Sequence, residues 1–185
     1  MLSFAENIPA ILEVVLEVNP RKVLDVGAGF GKYGLLVREQ YLSARTKQGD
    51  LCPKDDMIIN AIEDNEYFLS NERIWKIYNK VYIKPVEHYS LLPFCMHYDL
   101  TLLIDVIEHW TIDQARERIA LLSRHSDNIL ISTPKEVSMY TEPYYGDSRH
   151  HITQYSDTFP QSLEIINYTE IDNPLSWIWL IKSVR

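Results

Sequence analysis

Residues 23–34 read Val-Leu-Asp-Val-Gly-Ala-Gly-Phe-Gly-Lys-Tyr-Gly, and this stretch decides the fold. An apolar run that contains Asp25 breaks into glycines at every second position, Gly27, Gly29 and Gly31. This pattern predicts a buried strand, a tight turn and the start of a helix. Glycine lets another group approach the backbone closely, and the free N–H groups at a helix start form an electropositive cradle. We therefore expect this turn to bind a ligand.

The glycine spacing argues against two common phosphate-binding loops. The dinucleotide fingerprint G-x-G-x-x-G requires a third glycine at the position that Lys32 occupies. A P-loop requires Ser or Thr after Gly31-Lys32 and a glycine five positions before Gly31, but Tyr33 and Val26 stand there. A nicotinamide-dependent oxidoreductase and a P-loop nucleotidase are both disfavoured.

The sequence VLDVGAGFGKYG resembles the first motif of the class I S-adenosylmethionine-dependent methyltransferases. The resemblance implies that the loop wraps the methionine end of the cofactor. Gly27, Gly29 and Gly31 would lie against the cofactor, and Asp25 would order the loop through hydrogen bonds. The alternative interpretation is a purely structural strand–turn–helix.

Length and charge limit the classes of protein and partner. The chain has 185 residues and a formal net charge of −8, so we expect a single domain over residues 1–185 and a poor match to the phosphate backbone of nucleic acids. No apolar run is long enough to span a membrane, and no basic segment opens a signal peptide. Cys52 and Cys95 have no metal or redox spacing, which favours free thiols and a cytoplasmic location.

An amphipathic helix is predicted over residues 3–18. Its apolar face comprises Ile8, Ile11, Leu12, Val15 and Leu16. The helix ends at Asn19-Pro20, because the residue before proline avoids helical dihedrals. We expect residues 1–19 to pack on the sheet.

The predicted second strand, residues 57–63, ends in the acidic pair Glu63-Asp64. Ligands of open α/β sheets bind beyond the carboxyl ends of strands, and a carboxylate there can accept both hydroxyl protons of a ribose. Glu63 is the predicted ribose ligand and Asp64 the second choice. The polar segment 44–56, predicted to be a loop, explains the long separation from the glycines.

The predicted fourth strand, residues 100–105, leads into Asp105-Val-Ile-Glu-His. This run resembles the D-V-[I/L]-E-H motif of small-molecule class I methyltransferases. The resemblance implies that Asp105 lies near the methionine part of the cofactor, and that Glu108 and His109 point toward the transfer site. A histidine has a pKa suited to taking a proton from the acceptor, but a supporting or helix-capping role for His109 is equally consistent. Methyl transfer from a sulfonium often needs only alignment.

The segment 135–160 follows the predicted fifth strand, residues 128–132, and is rich in aromatic residues and histidines. Resemblance implies that it forms the acceptor pocket, and the predicted substrate-binding residues are Tyr144, His150, His151 and Tyr155. Imidazoles also bind zinc, but no carboxylate-plus-spacing signature accompanies them, so we expect no metal.

Alternation of strands and helices predicts a Rossmann-like α/β three-layer sandwich with a mostly parallel seven-stranded sheet. The remaining predicted elements are helices 31–43, 70–79 and 112–124 (the last with a capping box from Thr111 to Gln114) and strands 22–27, 80–84, 163–171 and 176–184. Resemblance adds the strand order 3-2-1-4-5-7-6 with an antiparallel final strand.

The predicted function is S-adenosylmethionine-dependent methyl transfer to an oxygen or nitrogen of a small molecule, without a nucleic-acid or membrane partner. A non-catalytic binding or scaffold module of the same fold is the main alternative. The oligomeric state, including a homodimer, stays open.

Overall fold

A computed structural model describes residues 5–47, 56–83, 96–136, 152–163 and 167–183. The strands are β1 (Lys22–Val26), β2 (Ile58–Ile62), β3 (Lys80–Tyr82), β4 (Tyr98–Ile104), β5 (Ser126–Pro134), β6 (Tyr168–Ile171) and β7 (Ser176–Lys182). The helices are α1 (Ile8–Val18), α2 (Lys32–Lys47), α3 (Glu66–Leu69), α4 (Glu72–Ile77), α5 (Ile112–Ser123) and α6 (Phe159–Ser162), with 3-10 turns at Ala5–Asn7 and Ile107–His109.

The strands form one seven-stranded sheet in the order β3-β2-β1-β4-β5-β7-β6. β1 to β5 run parallel, whereas β7 pairs antiparallel with both β5 and β6. The predicted fold class, strand order and antiparallel ending are confirmed. Because β1, β2, β4 and β5 are parallel, their carboxyl ends meet at one edge of the sheet, where Glu63 follows β2 and Asp105 follows β4.

Both faces of the sheet are covered, which explains the continuous apolar runs in its central strands. Val23 and Leu100 face a layer that contains α1, α2 and α4. Leu24 and Leu103 face the other layer, which contains α5 and Phe159 of α6. Side chains alternate between the two faces along each strand, so a shift of pairing by one residue would exchange the two cores.

Helix α1 is rotated relative to the sequence prediction. Ile11, Val14 and Val15 are its buried residues, whereas Leu16, predicted to be on the apolar face, is 48% exposed. The helix ends as predicted at Asn19, whose left-handed backbone conformation (φ 49°) lets its N–H donate to the Val15 carbonyl at 2.9 Å.

Several predicted boundaries are corrected by the structure. α2 continues to Lys47, so the start of the predicted loop 44–56 is helical, while residues 48–55 lie outside the described residues. The predicted helix 70–79 is present as the shorter helix α4, which the Asn71 side chain caps. Helix α3, capped by the Asn65 side chain, was not predicted, because four residues are too few for a periodic apolar pattern.

The end of the chain also differs from its prediction, while one predicted cap is confirmed. β6 begins at Tyr168 rather than at residue 163, and α6 precedes it with Pro160 in its first turn. The capping box of α5 is present: the Gln114 N–H donates to Thr111 Oγ1 at 3.2 Å, and the Thr111 N–H donates to Gln114 Oε1 at 3.0 Å.

Helices α2 and α4 meet at a glycine. A Cβ placed on Gly34, in the first turn of α2, would lie 2.4 Å from Cε1 and 2.5 Å from Cζ of Tyr78. Tyr78 follows α4 and is only 5% exposed, so its ring has no room to retreat. The glycine is therefore needed for close packing.

Gly34→Ala is expected to destabilise the protein, although the same change in an ordinary helix is stabilising by about 1 kcal/mol. The added methyl group would overlap the Tyr78 ring, and such overpacking costs roughly 1–3 kcal/mol. Urea unfolding measures the difference, with Ser43→Ala on the exposed side of α2 as the control. A Gly34→Ala protein more stable than the wild type would contradict this account of the packing.

Candidate functional site

The site lies at the carboxyl edge of the sheet, beside the point where the strand order reverses. β1 has β2 on one side and β4 on the other, and ligands of open α/β sheets bind at such a switch point. Four acidic side chains belong to these strand ends: Asp25 in β1, Glu63 after β2, and Asp105 and Glu108 after β4. The sequence-predicted site residues that lie in the described part of the chain are thus gathered at one edge.

The glycine turn after β1 has a backbone that favours glycine. Gly27, Gly29 and Gly31 have φ values of 70°, 55° and 80°, in the left-handed region that side chains rarely adopt. A Cβ on Gly27 would lie 2.5 Å from Cγ2 of Val106, whereas a Cβ on Gly29 would have no atom of a described residue within 4 Å. The middle of the turn is therefore open, and a ligand can approach the backbone there.

Glu63 lies directly against this turn. Its Oε2 accepts the Gly29 N–H at 2.7 Å, and its Oε1 accepts the N–H groups of Asp64 and Asn65 at 3.0 and 2.9 Å. The Glu63 residue is 2% exposed and Asp64 is half-buried. Glu63 thus joins the end of β2 to the glycine turn, while ribose binding by Glu63 or Asp64 stays a prediction.

Asp25 is held from behind the turn by Tyr78. The Tyr78 hydroxyl donates to Asp25 Oδ2 at 2.5 Å, and Asp25 is 3% exposed. Burial raises the pKa of Asp25 to about 7; the Tyr78 hydrogen bond opposes this rise and the charge of Glu63 adds to it. Sequence reasoning placed Tyr78 only within the predicted helix 70–79. The available signal was Gly34, since a glycine inside a helix often marks close packing.

Asp105 follows β4 in a left-handed conformation, with φ 54°. Neither of its buried carboxylate oxygens makes a hydrogen bond of good geometry with a described residue. Burial raises the pKa of Asp105 to about 7, opposed by the charge of Lys32 and, more weakly, by the Ser132 hydroxyl. A buried polar group without a partner normally indicates a missing ligand, ion or water.

Glu108 is buried within the turn that follows β4. Its Oε2 accepts from the Thr133 hydroxyl at 3.2 Å, and burial raises the pKa of Glu108 well above its usual range, with the charge of Asp105 adding to the rise. The protonated form of this carboxyl group is therefore favoured compared with that of an exposed glutamate. The neighbouring His109 is half-buried in the same turn. Catalytic roles for Glu108 and His109 stay predictions.

Tyr155 lies inside the protein rather than on an open wall. It is 4% exposed, its hydroxyl donates to the Ile107 carbonyl at 3.0 Å and lies 3.2 Å from the Trp110 carbonyl, and its ring packs on Phe159. These contacts give Tyr155 a role in supporting the turn after β4. A substrate contact by Tyr155 stays a prediction, and the other predicted pocket residues, Tyr144, His150 and His151, lie outside the described residues.

An aromatic cluster that sequence reasoning missed borders the glycine turn. Phe30, within the turn, packs edge-on against Phe68 at 4.7 Å and against Tyr67 at 5.9 Å between ring centroids. Both partners belong to α3, which follows Glu63. The cluster gives the β2 side of the site an apolar border.

The described residues contain neither a metal-ligand cluster nor a membrane-spanning helix. Within them, no three side chains of His, Cys, Asp or Glu are grouped as metal ligands would be. In the same part of the chain, every helix is too short or too polar to traverse a bilayer.

The fold is shared with S-adenosylmethionine (SAM)-dependent methyltransferases of known structure. The methyltransferase domain of bacterial CtHen1 has a TM-score of 0.67 and 16% identity, over 97% of this chain and 98% of that chain. Magnesium protoporphyrin IX methyltransferase from Synechocystis, with bound SAM, has a TM-score of 0.62 and 10% identity, over 96% of this chain and 78% of that chain. An rRNA methylase from Escherichia coli has a TM-score of 0.58 and 14% identity, over 96% of this chain and 64% of that chain.

These similarities establish the class of fold. The chain has the class I methyltransferase fold, as its glycine motif predicts. No family model matches the chain, and no curated protein does. Because the identities are low and the named proteins act on different molecules, the acceptor has to be argued from this chain's own residues.

Asp105→Asn is expected to stabilise the protein more at about pH 8 than at about pH 5, and to have its smallest effect at about pH 3. The pKa of Asp105 is raised from 3.8 to about 7, so between these values the folded protein holds a proton that the unfolded chain has lost. The free energy of unfolding therefore falls as pH rises through this window. The amide removes the buried charge, and asparagine tolerates a positive φ.

Urea unfolding at pH 5 and pH 8 measures this effect, and the gain at pH 8 is expected to exceed the gain at pH 5 by on the order of 2 kcal/mol. Asp157→Asn, at an exposed position, is the control and should change little at either pH. An Asp105→Asn effect of the same size at both pH values would contradict the buried-charge explanation.

Proposed function

We propose that the protein is an S-adenosylmethionine-dependent methyltransferase that acts on an oxygen or nitrogen of a small molecule. The observation that carries the proposal is the combination of a glycine turn that the described residues leave open at Gly29 with a buried carboxylate at Asp105 that has no hydrogen bond of good geometry to any of them, both at the switch point of a methyltransferase fold. A ligand with a close backbone contact and a cationic or N–H group satisfies both features. S-adenosylmethionine, with its ammonium and sulfonium groups, has this chemistry.

Each residue has a distinct part in holding the cofactor. Gly27, Gly29 and Gly31 let its methionine end lie against the backbone, and Asp105 accepts from its ammonium group. Glu63, on the opposite side of the turn, accepts from the ribose hydroxyls. The cofactor supplies an electrophilic methyl group on sulfur.

An apolar border supports the placement of the adenine. Phe30, Tyr67 and Phe68 lie beside Glu63, where a base attached to the ribose would extend. Aromatic side chains favour contact with a planar ring. This cluster therefore gives the adenine a surface that needs no charged partner.

The chain's contribution to catalysis is alignment, with a proton acceptor from the turn after β4. Fixing the acceptor atom in line with the sulfonium methyl makes an otherwise bimolecular step effectively unimolecular. Burial favours the protonated form of Glu108, so this carboxyl group suits hydrogen bonding to the acceptor better than proton removal. His109 is the candidate base, because histidine is the side chain that most often acts as a general base.

The acceptor class rests on charge. The net charge of −8 and the acidic residues at the sheet edge oppose a phosphate backbone, whereas a small neutral or cationic molecule meets no such repulsion. Solved structures with this fold include an rRNA methylase as well as a porphyrin methyltransferase, so the fold itself is compatible with either class.

Glu63→Gln is expected to weaken cofactor binding at least tenfold. Three backbone N–H groups point at the Glu63 carboxylate, and an amide would direct its own NH₂ at one of them. Isothermal titration with S-adenosylmethionine and S-adenosylhomocysteine measures the change. The control is Glu66→Gln, at an exposed position in the first turn of α3. A wild-type protein that binds neither compound below the millimolar range would end the proposal.

Nucleic acid is expected to be neither bound nor methylated. Fluorescence anisotropy with labelled single-stranded RNA and duplex DNA should show no binding at about 50 mM salt, where electrostatic contacts are strongest. Radiolabelled methyl groups should enter the small-molecule fraction of a cell extract and not its RNA. Salt-sensitive RNA binding, or label in RNA, would replace the small-molecule acceptor with a nucleic acid.

A further inference from the structure

Tyr78 touches the glycine turn from the side away from its open space. Its hydroxyl donates to Asp25, and a Cβ on Gly31 would lie 2.8 Å from Cδ1 of Ile77 and 3.3 Å from Cε2 of Tyr78. The Tyr78 ring also fills the space that Gly34 leaves vacant. Gly31 and Gly34, on either side of the start of α2, therefore both pack closely against Tyr78.

The backbone that carries Tyr78 is fixed on both sides. The Arg38 guanidinium, from α2, donates to the Ile77 carbonyl at 2.9 Å and to Asn79 Oδ1 at 3.0 Å. The Asn79 N–H donates to the Ile59 carbonyl at 2.7 Å, and Asn79 Oδ1 accepts the Ile59 N–H at 2.8 Å. Tyr78 is therefore anchored to both α2 and β2 and can act as a rigid support.

We infer that Tyr78 is a positioning residue for the cofactor turn: its hydroxyl holds the Asp25 carboxylate, and its ring sets the depth at which Gly31 and Gly34 pack. The inference rests on the proposed function, because the turn is taken to bind S-adenosylmethionine. It goes further by assigning cofactor affinity to a residue that does not reach the open side of the turn.

The hydroxyl matters because it favours the charged form of Asp25. Burial raises the pKa of Asp25 to about 7, and the Tyr78 hydrogen bond opposes this rise. The charge of Glu63, at the end of β2, raises the pKa of Asp25 further. The α1 residues that reach this layer, Ile11 and Val15, are apolar and add no charge. An ionised Asp25 attracts the cationic groups of the cofactor, so the Tyr78 hydroxyl increases the fraction of protein that binds it near neutral pH.

The first test uses the cofactor-free protein. In Tyr78→Phe the ring remains and the hydroxyl is lost, so the pKa of Asp25 should rise by about one unit or more, since a hydrogen bond to a charged group is among the stronger kinds. The amide resonances of Gly27, Gly29 and Gly31 report that midpoint in an NMR pH titration. Tyr41→Phe is the matched control: Tyr41 is also buried and also donates to an aspartate, Asp56, but at the opposite edge of the sheet.

The second test measures cofactor affinity against pH. The Kd of Tyr78→Phe for S-adenosylmethionine should exceed the wild-type Kd about fivefold at pH 7 and approach it by about pH 9, where Asp25 is ionised in both proteins. Tyr41→Phe should keep the wild-type profile. A purely structural loss would instead weaken binding equally at every pH.

Each outcome bears on the inference. The inference would be overturned if Tyr78→Phe and the wild type had equal Asp25 titration midpoints and the same dependence of Kd on pH. If Tyr78→Phe does not fold, wild-type protein with ¹³C-labelled tyrosine decides: the Tyr78 Cζ resonance must titrate with the Asp25 midpoint, and a flat response overturns the pairing. If the wild type binds no cofactor, the proposed function fails and so does the link to affinity, while the glycine amides still report whether Tyr78 holds Asp25.

Discussion

Burial of several acidic side chains at one edge of the sheet is the constraint on which this structure depends. Asp25, Asp105 and Glu108 all have pKa values raised mainly by burial. A buried carboxylate without a cation is costly, and the protein avoids that cost by retaining protons. Lys32 is a cation that acts on Asp105, but its own pKa is lowered by burial. The arrangement is suited to a ligand that brings its own positive charge.

The parts of the site predicted from sequence are those set by local backbone chemistry. The alternate glycines predict a turn because a positive φ is a property of the residue itself, and all three adopt one. The apolar run of β4 predicts a central strand because that strand is covered on both faces. Glu63 and Asp105 follow such strands, so their place at the sheet edge is implied by the strand ends.

The parts that could not be predicted depend on contacts between distant segments. Tyr78 meets Asp25 across 53 positions of sequence, and only the packing of α4 against α2 brings them together. Tyr155 lies in an aromatic-rich segment that was predicted to form a pocket wall, but its hydroxyl is directed at the Ile107 and Trp110 carbonyls. Leu16 fits a helical apolar stripe, but a rotation of α1 places Val14 inside instead.

The central position of β1 also determines when the site can form during synthesis. β1 ends at Val26 and its neighbour β4 begins at Tyr98, 72 residues later. β1 therefore leaves the ribosome before β4 does. The Asp99 carboxylate accepts hydrogen bonds from the N–H groups of Arg21 and Lys22, and it is synthesised together with β4. Until β4 emerges, a nascent chain exposes one unpaired edge of β1, so the glycine turn reaches its final surroundings only after Tyr98–Ile104 has been made.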